Sequence, residues 1–429
     1  MGNDRFVLLG LARPRAPWFA DVSRWATSSN IPAEFVKCVS VEEMRARLAS
    51  GRSWSAALLD GSLPMVDRDL LAGVREAGCA PVIVDDRGAT HRWLSIGAAA
   101  VLPSSFDRDS LLEVLAGVAA SVSRATSLPD DEVDAGDPDR DDAIVVAVCG
   151  PGGTGASTVA AALAQGLGDA GRSTLLVDLA RNAEQGVLHD VRDVAPGVQE
   201  LVEAHRNGVP SRDDVRSLTF AVVDRGYSLV LGLRRSRYWP SLRRRAFETA
   251  FASVCRSYDA VVCDVTADFE GESDAGSADV EERNLAGRTA IARADVVLAV
   301  GRSGVKGIHS LVRVVADLAA AGVPAPRILP VLAMAPRSPR ARAELAAAVS
   351  ELSRPVLGGS AMPSLVFLPA RPVEQAFRDG ARLPAPLPQR LAGDVIAVFE
   401  RNGRVDRRSS SEPVAVAPGS LGSSPDGDW

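Results

Sequence analysis

The sequence predicts an α/β protein built from two parallel-sheet domains with an acidic linker between them. Three observations carry that prediction. Short apolar runs alternate with helical stretches along most of the chain, the pattern of parallel crossover units. The segment 119–142 breaks the alternation, and its last twenty residues hold eight acids against two arginines. A third signal is the run IVVAVCGPGGTGAST (Ile144–Thr158), an apolar strand that turns through glycines into a helix. Such a turn converges backbone N–H groups on an anion, and the helix N-terminus adds partial positive charge.

In the first domain, residues 1–118, strands are expected at Arg5–Leu11, Ala56–Asp60, Pro81–Val84 and Ala99–Leu102. Each is a short apolar run between turn formers. Helices are expected between them at Trp18–Ser28, Val41–Leu48, Asp67–Ala77 and Ser110–Val122. The linker has prolines and acids and no apolar period, which reads as a solvated segment. Residues 143–402 repeat the alternation on a larger scale. Strands are expected there at Ile144–Val148, Thr174–Asp178, Leu229–Leu231, Ala260–Asp264, Val296–Val300, Ile328–Leu332 and Leu365–Leu368. Residues 403–429, rich in Ser, Pro, Gly and Asp, read as a disordered tail.

Composition bounds the function. With 429 residues, 46 % hydrophobic and 24 % charged, the chain has ample material for packed cores. No apolar run reaches the ~20 residues of a membrane span, and the N-terminal MGNDRFVLLGLARP lacks the pattern of a signal peptide. Five scattered cysteines (Cys38, Cys79, Cys149, Cys255, Cys263) point to buried, reduced thiols and a cytoplasmic setting. Four histidines (His91, His189, His205, His309) show no ligand spacing. A net charge of −6 argues against nucleic acid as a bulk partner.

The glycine turn is the focus of the chemistry. A phosphate-binding loop reads G-x-x-x-x-G-K-[ST]. Gly150 and Gly155 hold the glycine positions, Ser157 holds the hydroxyl position, and Ala156 stands where the lysine belongs. Only two lysines, Lys37 and Lys306, occur in the whole chain. The candidate nucleotide-binding residues are Gly150, Gly152, Gly153, Thr154, Gly155, Ala156, Ser157 and Thr158, with the helix expected to open at Ser157. LLVDLA places Asp178 at a strand tip, and YDAVVCDV places Asp264 at another. Ligands of doubly wound sheets bind outside such tips, so both acids should face the loop as candidate catalytic residues. Ser157 and Asp264 would offer oxygen to a magnesium ion on the nucleotide. A strand-tip aspartate also commonly caps the helix that follows it.

Taken together, residues 143–400 resemble the MinD/ParA branch of P-loop ATPases. That branch carries K-G-G-x-G-K-[ST], matched here by Pro151-Gly152-Gly153-Thr154-Gly155-Ala156-Ser157. Leu175–Leu179, Ala260–Asp264, Ile291–Val300 and Val373–Pro384 are similar to later segments of the branch. Within it, the chain most resembles the actinobacterial CpaE-like, septum site-determining (Ssd) group. The resemblance implies a doubly wound P-loop domain, ATP and magnesium as ligands, pairing of two copies, and partners in cell division or in a pilus or secretion apparatus. The departures imply weak or absent binding and hydrolysis. Both loop lysines are replaced, by Pro151 and Ala156, and Ala180 replaces a second acid. A hydrogen bond to a charged group contributes ~1.5–3 kcal/mol, so two lost contacts weaken affinity by orders of magnitude. Arg181 and Arg302 lie near strand tips where a compensating charge could sit.

Residues 1–118 resemble a CheY-like receiver of flavodoxin-like fold. Ala56–Pro64 matches the strand ending in a phosphoacceptor, here Asp60, and Gly97–Phe106 matches the last-strand segment, with Ser104 near the usual lysine. The acids expected after the first strand are absent, since it ends Leu9-Gly10-Leu11. Magnesium needs those acids, so Asp60 reads as a phosphoacceptor remnant in a pseudo-receiver used for docking.

Two further stretches stand out. Leu233–Phe247 carries six arginines with Tyr238 and Trp239. It reads as a solvated face, as a DNA-binding segment (Arg234–Arg245), or as a partner for the acidic run Asp268–Glu282, itself expected to be a mobile loop. The last helix, Gln389–Arg401, puts Leu391, Val395 and Phe399 on one face for packing on the sheet, with no direct membrane insertion expected. The functional expectation is a regulator acting through partner binding; the alternatives are an active ATP-dependent dimerisation switch and a ParA-like DNA binder.

Overall fold

A computed structural model describes residues 5–13, 15–28, 30–119, 143–191 and 195–409, with 404–409 as backbone only. The expected linker, apart from Ala119, and the part of the tail beyond 409 lie outside the described residues.

The first sheet is formed by β1 (Phe6–Leu11), β2 (Ala33–Cys38), β3 (Ala56–Asp60), β4 (Ala80–Val84) and β5 (Ala100–Leu102), alternating with α1 (Pro17–Thr27), α2 (Val41–Leu48), α3 (Arg68–Glu76), α4 (Thr90–Ser95) and α5 (Arg108–Val118). All pairings are parallel, in the order β2-β1-β3-β4-β5, which is the flavodoxin-like order. Ser40, Asp67 and Asp107 cap α2, α3 and α5 through their side chains. The sequence reading misses β2 and α4. AEFVKC is a half-buried edge strand with charges at two of its six positions, and α4 is under two turns long.

The second sheet has eight strands. These are β6 (Ile144–Cys149), β7 (Thr174–Asp178), β8 (Phe220–Val222), β9 (Tyr227–Val230), β10 (Ala260–Asp264), β11 (Val296–Arg302), β12 (Ile328–Ala335) and β13 (Val366–Pro369). Between β6 and β10 run α6 (Ala156–Asp169), α7 (Gln185–Leu188), α8 (Val198–Arg206), α9 (Arg212–Ser217) and α10 (Arg244–Ser257). After β10 come α11 (Glu272–Ala275), α12 (Ala278–Arg283), α13 (Leu285–Arg293), α14 (Val305–Ala320), α15 (Pro339–Ser353), α16 (Glu374–Arg378) and α17 (Leu387–Ser409). The order is β13-β12-β11-β6-β10-β7-β9-β8, with only β8 antiparallel. One apolar core gathers α8, α10, α13 and α14 on one face, and another gathers α6 and α17 on the other. The fold is therefore doubly wound, and its crossover from one side of β6 to the other opens a crevice beyond β6.

Several expectations need correction. Helix α6 opens at Ala156, one residue before Ser157, and α17 continues to Ser409, past the expected boundary at 402. The acidic run Asp268–Glu282 is not a bare loop: it folds into α11 and most of α12. The short edge strand β8 has no apolar alternation to announce it. As expected, Leu391 and Val395 are fully buried and Phe399 packs against the α6 core. All five cysteines are buried and none is joined in a disulfide.

The two sheets meet through α3, its preceding loop and α4, which seat on α8 and α10. The last carbonyls of a helix lack intrahelical partners. At the end of α8, Arg68 donates to the carbonyls of His205 (2.9 Å) and Gly208 (3.0 Å), and Arg92 donates to that of Asn207 (2.6 Å). At the start of α10 the polarity is reversed: the Asp69 carboxylate accepts from the backbone N–H of Arg245 (3.0 Å) and Ala246 (3.3 Å). Arg206 reaches back to Asp67 at 2.6 Å, and Arg245 pairs with Glu76. The first domain thus supplies charges that complete helix ends of the second, and the second returns two ion pairs, Arg206 to Asp67 and Arg245 to Glu76.

Candidate functional site

The crevice beyond β6 is shaped by backbone. Every residue of β6 is buried, so the strand is held from both faces where it meets the loop. Gly153 (φ +77°) and Gly155 (φ +87°) adopt left-handed conformations that suit glycine. Gly150 is fixed by a close approach, since a Cβ there would lie 2.4 Å from the Val300 carbonyl oxygen of β11. Thr154 closes the turn, its hydroxyl donating to the Pro151 carbonyl at 2.7 Å. A Cβ on Gly152, Gly153 or Gly155 would meet nothing within 4 Å, so the loop faces open space. The loop opens onto the N-terminus of α6, whose backbone N–H groups have the chemistry for an anion; Ala156 gives it no charge of its own.

Beneath the loop lie Asp178 and Asp264, register partners on adjacent strands, and both are buried. Burial, and next the charge of Asp264, push Asp178 up to about 8. Burial likewise pushes Asp264 up to about 6, against hydrogen bonds from Gln185 and the Ser157 hydroxyl. Gln185, at the start of α7, joins the group. Its backbone N–H donates to Asp178 (2.9 Å), and its amide Nε2 donates to Asp264 (2.7 Å) and to the Ser157 carbonyl (3.0 Å). Asp178 also accepts from the Ala180 N–H at 3.2 Å, the local role a strand-tip acid often has. The structure gathers Ser157, Asp178 and Asp264 around a glutamine that no motif announced. Ser157 and Asp264 have the oxygen chemistry for magnesium, and both are engaged by neighbours here.

The two arginines weighed as substitutes differ. Arg181 pairs with Asp268 at 2.9 Å, which also holds Arg283 at 3.2 Å, beside a small cavity lined in part by Asp178, Leu242 and Asn284. Arg302, at the tip of β11, instead donates to the carbonyl of Gly153 at 3.3 Å and contacts the sulfur of Met334 at 2.8 Å. Its guanidinium thus stands at the lip of the glycine loop.

The arginine-rich stretch is partly neutralised from within. Arg234 pairs with Glu200, Arg244 with Glu281 at 2.7 Å, and Arg245 with Glu76 and Glu248. Glu281 belongs to the acidic run, so the internal pairing considered from sequence exists for Arg244.

In the first domain, Asp60 sits buried at the tip of β3. Burial raises its pKa, yet hydrogen bonds from Ser62 and Arg13 outweigh this and hold the carboxyl below its usual range. Arg13, from the segment after β1, donates to Asp60 through its backbone N–H (3.4 Å) and its Nε (3.5 Å). A guanidinium therefore contacts Asp60 from the segment where a receiver carries its metal-binding acids. Ser104 is bound to Asp86 through its N–H (2.6 Å) and its hydroxyl. Among the described residues, no three His, Cys, Asp or Glu side chains are grouped to hold a metal, and no helix is long and apolar enough to cross a membrane.

No protein-family model matches the chain, and no curated protein matches it. Solved structures do resemble it. One is a ParA family ATPase from Chlorobium tepidum TLS, at 14 % identity and TM-score 0.45, spanning 60 % of this chain and 98 % of that one. Another is the cell division ATPase MinD of Pyrococcus furiosus, at 19 % and 0.43, spanning 61 % and 99 %. A third is the septum site-determining protein MinD from Pyrococcus horikoshii, solved with Mg-ADP, at 20 % and 0.40, spanning 62 % and 97 %. At these values the likeness assigns neither an activity nor a partner.

Proposed function

We propose that this chain is a septum site-determining or CpaE-like regulator that positions division, pilus or secretion machinery through partner binding, with ATP hydrolysis weak or absent. One observation carries the reading: a glycine turn open to solvent that lacks both lysines, above two acids already committed to internal hydrogen bonds. Phosphate would rest on the N–H groups between Gly150 and Thr158. Magnesium, when bound, would supply charge at Ser157 and Asp264. Without a lysine the loop stabilises little charge on a transferring phosphoryl group. The first domain acts as a pseudo-receiver, because Arg13 already occupies Asp60.

The test is equilibrium binding of labelled ATP together with steady-state hydrolysis by the full chain. Weak binding and no turnover are expected. Turnover at the rate of an active P-loop ATPase, abolished by Asp264→Ala, would refute the proposal. A second reading, an ATP-dependent dimerisation switch, draws on Arg302 at the loop lip. Tight magnesium-dependent binding that Arg302→Ala abolishes would favour it.

A further inference from the structure

Gln185 is completely buried, and the end of its amide that faces the loop is unambiguous. Its Nε2 lies 2.7 Å from Asp264 Oδ2 and 3.0 Å from the Ser157 carbonyl oxygen. Both neighbours are acceptors, so only the NH2 end fits there. The other end, Oε1, is buried with no hydrogen-bond partner. A buried acceptor left unpaired costs about 1–3 kcal/mol, so the side chain keeps this place at a penalty. Its helix is anchored from behind: His189 contacts the Gln185 carbonyl at 2.7 Å and the Tyr227 hydroxyl at 2.6 Å.

We propose that Gln185 is a surrogate for the cation of this site. Its amide presents two N–H donors, one to the Asp264 oxygen that a divalent ion would take and one to the Ser157 main-chain carbonyl, which anchors the amide beside that oxygen. While it stays, Asp264 cannot turn that oxygen to a metal, so the magnesium position at Ser157 and Asp264 is weakened and the cradle gains nothing from magnesium when it takes a phosphate ligand. Gln185 thereby sets the specificity of the pocket, for free polyphosphate over its magnesium complex. This rests on the phosphate-binding reading above, and its test separates the two.

The probe is Mn2+ alone, followed by water-proton relaxation on the full chain, with no nucleotide present. Native protein should show no bound Mn2+ beyond background. Gln185→Ala should bind Mn2+ at least tenfold more tightly than native, and Gln185→Ala/Asp264→Asn should lose that gain. Gln185→Asn, with a shorter amide, gives a second variant if the alanine form does not fold. Mn2+ bound by the native chain and lost in Asp264→Asn would overturn the proposal, as would folded Gln185 variants with no gain. A parallel titration with labelled ATP in magnesium and in EDTA should give native affinities within twofold of each other. Native binding at least tenfold tighter in magnesium would also overturn it. If no variant binds ATP in either buffer, the phosphate reading and the ligand specificity drawn from it both fail. The Mn2+ results still decide whether Gln185 holds the cation position.

Discussion

The buried acid at the tip of β7 should make stability fall as pH rises from about 7 to 8. Asp178 has an ordinary carboxyl value of 3.8 when unfolded and is raised to about 8 in the fold, chiefly by burial. A raised carboxyl contributes stability that is fully present below the unfolded value and is lost as pH rises through the folded value. Asp264, raised to about 6, acts in the same direction and is spent earlier. His189 opposes both at lower pH. Burial depresses it from 6.5 to about 4, so its contribution grows as pH rises and is complete above about 6.5. Between pH 7 and 8 most of the slope is therefore left to Asp178; the buried thiols of Cys38, Cys79, Cys149 and Cys263, raised from 9.0, add to it in the same direction as pH climbs toward 9. One proton held only by the folded chain is worth about 1.4 kcal/mol per pH unit, and partial ionisation reduces this to roughly 1 kcal/mol across the interval. Urea denaturation at half-unit steps from pH 6 to 9 measures it. Asp178→Asn should flatten the curve between pH 7 and 8. Stability that stays level or rises there, or an equal slope in the variant, refutes the placement of a protonated Asp178 beneath the loop.

Other outcomes follow from packing. Asp69→Ala removes the acceptor at the start of α10 and should cost about 1–2 kcal/mol in urea unfolding; an unchanged stability speaks against the seating of α3 on α10. Gly150→Ala drives a Cβ to 2.4 Å from the Val300 oxygen and should cost about 1–3 kcal/mol. Gly152→Ala faces open space and should stay within about 0.5 kcal/mol of native in thermal unfolding; equal losses in the pair would count against the loop geometry.

Much of this was legible in the chain. Buried parallel strands are nearly continuous apolar runs, so β3, β7 and β10 have the bounds read from sequence, and Asp178 and Asp264 sit at the tips expected of them. The glycine loop was legible because glycines with positive φ and a strand–turn–helix context leave a fixed spacing. Edge strands β2 and β8 were not, since they are short and only partly buried. Gln185, Arg302 and Arg13 were also hidden as contacts. Each acts across the fold on residues 28 to 149 positions away, and such contacts leave no periodicity. The acidic run after β10 looked like loop because charge dominates its composition, yet Arg244, Arg181 and Arg283 supply the counter-charges that let it fold.

The completion of α8 and α10 by side chains of the smaller domain has a consequence for anyone dividing the molecule. Severed at residue 143, the larger part would carry two torn edges, the tail of α8 without Arg68 and Arg92 and the head of α10 without Asp69. Leu242, two residues before that head, also lines the small cavity beside Asp178. A loosened α10 would be felt at the crevice, and the smaller part added back in trans should mend it.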